Sequence, residues 1–177
     1  MLMGRKLSKI YTPYNRLLIP LFLLVICAFT NCTANEITSS PLNSVNVVDG
    51  DSLEIGTKRI RLMGIDAPEY IQTCKNEHKK VYPCGKISAQ YLRDLIGNNS
   101  ITCKYNEKDR YDRYLCTCYK GNVNLNREMV LSGNAIPYLE SEYKAEQTDA
   151  KIHKRGMWRG RFMQPRLFRR LREQEKK

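Results

Sequence analysis

Between Val47 and Glu69 the chain reads VVDGDSLEIGTKRIRLMGIDAPE, which sets the carboxylates Asp51, Asp66 and Glu69 and the guanidinium of Arg61 within one short stretch. A second arginine block follows, Asp109-Arg110-Tyr111-Asp112-Arg113. Carboxylate oxygens suit a hard divalent cation such as Ca²⁺ or Mg²⁺. Arginine forks suit phosphate oxygens. Together they fit metal-assisted phosphodiester hydrolysis, where preplaced positive charge stabilises the charge growing on phosphoryl oxygens. Asp66 and Glu69 stand three apart across a proline turn, so both can address one site. Each residue alone has a plainer reading. Asp51 is then a turn former, Asp66 and Glu69 are surface charges, and Arg61 belongs to a structural ion pair. Turn-making explains neither the arginine nor the glutamate. Arg61 sits between apolar neighbours, so it is either paired or faces a cleft. Arg113 has Arg110 and Asp112 beside it for local pairing. Tyr111 and Tyr138 offer rings for stacking on bases or for core packing.

These residues need elements to hold them. Val45–Asp49 and Ser52–Ile55 are rich in β-branched residues and are divided by the Asp49-Gly50 turn. Arg59–Ile65 alternates as a strand and stops at Asp66-Ala67-Pro68, because proline removes a ladder donor. Lys86–Ile96 carries an apolar stripe of helical spacing, with Gly97 at its end. Ser100–Tyr105 and Arg113–Tyr119 read as strands. Leu125–Ser132 and Glu142–Arg155 read as helices stopped by Gly133 and Gly156. Five strands and about three helices imply an α+β fold. A small curved sheet closing into an OB-type barrel is the economical arrangement, and periodicity leaves an open antiparallel sheet as the alternative.

The ends differ from the middle. Arg5, Lys6, Lys9 and Arg16 precede the apolar run Leu17–Phe29, whose thirteen residues fall short of the ~20 that span a bilayer and fit the core of a secretory signal. Residues 1–34 are therefore a signal peptide or an uncleaved N-terminal membrane anchor, with lipidation at Cys32 a third alternative. Residues 35–43 read as a polar linker, 44–160 as the domain, and 161–177 as a basic tail. The net charge of +12 is terminal: residues 151–177 hold eleven basic residues against two acidic ones, whereas 35–150 hold fifteen against sixteen. Such a tail suits a polyanion, or is a solvated segment or a contact for anionic lipid. Beyond residue 34 there are five cysteines, Cys74, Cys84, Cys103, Cys116 and Cys118. In an exported protein they are disulfide candidates, and their spacing argues against a zinc site. Cys74 and Cys84 bracket a polar loop they could staple. Cys103 could pair with Cys116 or with Cys118.

The segment Val47–Glu69, the Asp109–Arg113 block, Leu125-Asn126, Gly133-Asn134-Ala135 and Gly156-Met157-Trp158 together resemble the staphylococcal-nuclease-like (thermonuclease) family over about residues 44–160. The resemblance implies a five-stranded OB-type barrel with three helices and a calcium-dependent endonuclease acting on DNA and RNA with little sequence preference. By resemblance, Asp51 and Asp66 bind Ca²⁺ through carboxylates and Ala67 through its backbone carbonyl. Glu69 serves the attacking water as general base or as its orienter. Arg61 and Arg113 grip the phosphate, and Tyr111 and Tyr138 line the nucleotide cleft. Cysteine-bearing relatives imply Cys74–Cys84 and Cys103–Cys118, with Cys116 in the core. The chain departs from the family at Asp112, where glycine is usual and where the added charge stands beside Arg113. The partners implied are nucleic acids alone, for a monomer with no obligate protein partner that is exported or tethered through its N-terminal apolar segment. The rival reading is the same barrel holding nucleic acid without cutting it.

Overall fold

The computed structural model describes residues 35–40, 44–138 and 141–176. The signal or anchor expected at 1–34 lies outside them. In chain order the strands are β1 (Asn35–Thr38), β2 (Val45–Val47), β3 (Ser52–Ile55), β4 (Lys58–Leu62), β5 (Ile65–Asp66), β6 (Cys74–Lys75) and β7 (Val81–Tyr82). Helix α1 (Cys84–Ile96) is followed by β8 (Thr102–Lys108), β9 (Tyr114–Lys120), β10 (Val123–Asn124), α2 (Leu125–Leu131) and β11 (Ile136–Pro137). Then come α3 (Lys144–Ile152), a 3₁₀ turn at Gly156–Arg159, and α4 (Pro165–Gln174).

The main sheet runs β1-β8-β9-β4-β3-β2, with β10 added against β9. Its pairs are antiparallel except β4 with β9, which are parallel. The sheet curls, but its ends β1 and β2 are not paired with each other among the described residues. The architecture is mixed α+β, as the sequence implies, yet the count differs. Seven strands form this sheet rather than five, and four α-helices are described rather than three. The extra pieces come largely from segments that read as polar or charged. Asn35–Thr38, expected to be linker, pairs with β8 and buries Ile37, so its backbone groups are satisfied by the neighbouring strand. The segment 161–177, expected to be a basic tail, contains α4.

One core holds the elements together. Leu53, Ile60, Leu62 and Ile65 from the strands meet Ala89, Leu92 and Ile96 from α1 and Leu125, Met129 and Val130 from α2, all buried. Helix α2 begins at Asn124, whose side chain accepts the Arg127 N–H. Asn126, fully buried, ties α2 to the sheet by donating to the carbonyls of Met63 and Cys116 and accepting from Cys118 N–H.

Strand register settles the cysteines. Cys103 lies directly opposite Cys118 in the β8–β9 ladder, while Cys116 lies opposite Tyr105. Cys103–Cys118 is accordingly a disulfide, with Cα atoms 4.0 Å apart, and Cys116 is free and buried. Cys74–Cys84 joins β6 to the first residue of α1. A smaller apolar cluster of these two cysteines and Met157, with Tyr82, Ile136 and Phe162 against it, lies beneath that loop.

Candidate active site

The site begins at the turn before β3. Val48 and Asp49 donate their N–H groups to Ser52 O, and Asp49 Oδ1 accepts from Asp51 N–H at 3.0 Å. Gly50 packs this turn against α1; a Cβ there would lie 1.8 Å from Ser88 Oγ and 2.8 Å from Ala67 Cβ. Close approach, which only glycine permits here, places Asp51 beside the Asp66–Ala67 turn.

Asp51 is almost wholly buried. Its Oδ2 accepts the Ala67 N–H at 2.6 Å, and its Oδ1 accepts from Ser52 Oγ at 2.9 Å and from Arg61 Nη1. Arg61 projects from β4 and is itself 7% exposed. Its Nη2 donates to Asp66 Oδ1 at 3.0 Å and to Tyr138 Oη at 3.2 Å. One guanidinium thus joins both carboxylates predicted to hold a cation. Burial opposes the Arg61 charge, but Asp51, Tyr138 and Asp66 outweigh it and push its pKa further up, so it stays protonated. Burial pushes the Asp51 carboxyl up to about 7 even though Arg61 pulls it down.

Glu69 follows on a loop held from three directions. Gln72 N–H donates to Glu69 O at 2.7 Å, and Gln72 Oε1 accepts the Glu69 N–H at 3.3 Å. Gly85 at the start of α1 packs so tightly on this loop that a Cβ would lie 1.8 Å from Glu69 O. The Cys74–Cys84 bridge fixes the far side of the loop.

Arg113 enters from the β8–β9 connection. Asp109 Oδ1 accepts the N–H groups of Tyr111 and Arg113, and Oδ2 accepts from Arg113 Nε at 2.8 Å. Burial pushes the Asp109 carboxyl up, but the bonds from Arg113 and Tyr111 prevail and hold it below its ordinary range. Asp112, not Asp109, is the acidic neighbour the sequence offers as partner for Arg113. Here Asp112 takes the left-handed φ of 62° that glycine favours and pairs with Lys108 Nζ at 2.7 Å. The departure from glycine therefore does not engage Arg113.

Arg61, Glu69, Arg113, Tyr111 and Tyr138 line a single cleft of about 730 Å³, with Arg59, Arg110 and Asp49. Asp51 and Asp66 lie behind Arg61, and Ala67 adjoins them. All the predicted site residues are brought together. Tyr111 is half exposed, with the guanidiniums of Arg110 and Arg113 4.8 and 5.6 Å from its ring centre. Among the described residues no three of His, Cys, Asp and Glu form a metal-holding group. The fit to a hard cation rests instead on donor type: two buried carboxylates beside a backbone turn that can add a carbonyl.

The sequence reading misses the opposite wall of the cleft. Helix α4 supplies Arg166, Arg169, Arg170 and Glu173 to it. Arg169 Nη1 bonds Glu69 Oε1 at 2.8 Å, and Arg169 Nη2 bonds Asp66 Oδ1 at 2.7 Å. The Arg166 N–H donates to Asp66 Oδ2 at 3.1 Å. Pro165, with Leu167, Phe168 and Leu171 at helical spacing, was the available signal for this helix. Gln72 was missed as well, since nothing local marks a glutamine as buried.

The family model for staphylococcal nuclease homologues matches residues 59–160. A succinoglycan biosynthesis protein, ExoI, of Rhizobium meliloti is 35% identical over 67% of this chain and 64% of its own length. An uncharacterized endonuclease of Escherichia coli O157:H7 is 33% identical over 64% of this chain and 74% of its own. An uncharacterized endonuclease of Haemophilus influenzae is 30% identical over 81% and 78%. The chain belongs to the staphylococcal nuclease homologue family.

Proposed function

We propose that the protein is a calcium-dependent endonuclease that hydrolyses phosphodiester bonds of DNA and RNA with little sequence preference. The observation that carries this reading is the Arg61 guanidinium, bonded to Asp51 and Asp66 at the floor of a cleft whose walls bear Glu69 and Arg113. Relatives named as endonucleases support it.

In this reading Asp51, Asp66 and the Ala67 carbonyl hold Ca²⁺, which supplies Lewis-acid polarisation of the phosphate. Glu69 orients the attacking water or takes its proton, being a partly exposed carboxylate on an otherwise fixed loop. Arg61 and Arg113 bond the non-bridging phosphate oxygens. Arg113 spends Nε and Nη2 on Asp109, which aims the remaining terminal nitrogen at the cleft. Both cations are fixed before substrate arrives, so little reorganisation is needed as negative charge develops. Tyr111 and Tyr138 contact the nucleotide on either side. The substrate's backbone phosphates draw it to the arginine-lined walls. The two disulfides suit an oxidising, exported setting. Among the described residues no helix is long and apolar enough to cross a membrane.

Plasmid nicking across a Ca²⁺/EDTA series tests the reading. Wild type nicks with Ca²⁺ and stops with EDTA, and Glu69→Gln turns over at least ~10²-fold more slowly with an unchanged melting temperature. Full activity of Glu69→Gln would remove Glu69 from the chemistry. Binding without nicking would leave a nucleic-acid-binding module.

A further inference from the structure

We propose that α4 is a built-in plug, whose Arg169 guanidinium, paired with Asp66 and Glu69, competes with the divalent cation for the Asp66 carboxylate; this rests on the reading that Asp66 holds a cation. Arg169 bonds both at 2.7 and 2.8 Å. Asp66 is thereby crowded with donors: Oδ1 takes Arg61 and Arg169, and Oδ2 takes the Arg166 N–H. A cation held by Asp66 would stand beside the Arg169 guanidinium, and like charges at such range repel.

The approach to the helix is fixed and the helix itself is lightly held. Lys75 and Arg161 exchange two backbone hydrogen bonds at 2.8 Å each. Gln72 Nε2 donates to Met163 O at 2.7 Å, and the Phe162 ring packs on Trp158 at 4.9 Å between centres. The Gln72 bond ties the lead segment to the very loop that carries Glu69. Beyond them only Pro165 of α4 is buried, while Leu167 and Leu171 are 45% and 40% exposed. The helix therefore docks mainly through its charges, and a segment so weakly packed opens at low free-energy cost. A cation that takes Asp66 removes the larger part of what holds α4 down, the Arg169 and Arg166 bonds to that carboxylate. By linkage, α4 weakens the cation by the same factor that the cation weakens α4.

Calorimetric titration of Ca²⁺ into the full chain and into Arg169→Gln tests this. The variant binds Ca²⁺ at least ~10-fold tighter, in line with the loss of charge-assisted bonds. Hydrogen exchange on the unaltered protein gives the reciprocal readout and needs no variant: saturating Ca²⁺ speeds exchange of the amides of 168–174. Equal or weaker Ca²⁺ binding by the variant, or unchanged or slower exchange in α4, overturns the plug. If that happens while wild type still nicks plasmid with Ca²⁺, the endonuclease reading stands alone. Tighter binding and faster exchange without nicking leave the plug standing and remove the endonuclease. Absence of Ca²⁺ binding by both proteins removes the plug and the calcium assignment together.

Discussion

Arg61 is both a candidate phosphate ligand and the counter-charge for two buried carboxylates. Truncating it removes both roles at once, and stranding buried charge costs on the order of 3–5 kcal/mol. Glu69 is the cleaner probe of chemistry, because its backbone anchors the loop and its carboxylate, partly exposed, pairs only with Arg169 of the lightly packed α4. Asp51 makes a separate prediction. Its folded pKa of about 7 stands above the ordinary 3.8, raised by burial against the pull of Arg61. The native state then keeps a proton that the unfolded chain gives up. The stabilisation is fully present below about 4 and is lost as pH rises through about 7. In cation-free buffer, the melting temperature of wild type should fall relative to that of Asp51→Asn between those limits. Parallel melting profiles for the two proteins would refute the burial argument.

At the scale of elements, the close pairing of two glycines governs the far side of the core. Gly133 ends α2 at φ +70° and Gly156 opens the 3₁₀ turn at φ +51°. Met157 N–H donates to Gly133 O at 2.9 Å, and a Cβ on Gly133 would lie 2.3 Å from Arg155 O. Gly133→Ala faces both the left-handed backbone and a collision with main chain that cannot rotate away. It should cost at least ~2 kcal/mol, read as a shift in urea midpoint. Both glycines were legible as helix stops, but their contact across the chain was not. The same divide runs through the rest of the molecule. β3, β4 and the core of α1 follow local alternation and helical spacing, so they could be read directly. β1 is polar in sequence and becomes a strand only because β8 offers an edge. Helix α4 reads as a charged tail because the carboxylates that hold it, Asp66 and Glu69, stand about a hundred positions earlier. The site residues were legible because their types are chemically loaded. Gln72 and Asp109, which position them, carry no such mark.

Over the whole molecule, two covalent ties divide the work. Cys103–Cys118 closes a separation of 15 residues within the sheet, and Cys74–Cys84 closes one of 10 beside the Glu69 loop. In the chain-entropy account each is worth roughly 3 kcal/mol, a large share of the ~5–15 kcal/mol that domains of this kind possess. Cys116, facing the same side of β9 as Cys118, cannot take the place of Cys118 without shifting register by two residues. Its thiol is pushed up to about 12 by burial, so at neutral pH it is protonated and shielded. Alkylation read by mass spectrometry follows directly for residues 35–177. The native, oxidised protein should take no label there, the unfolded oxidised protein one label at Cys116, and the reduced, unfolded protein five. Labelling of Cys103 or Cys118 before reduction would mean that β8 and β9 pair differently. Because β9 also carries β4 in parallel beside it, such a shift would move Arg61 relative to Arg113, and the cleft would lose the convergence on which its chemistry depends.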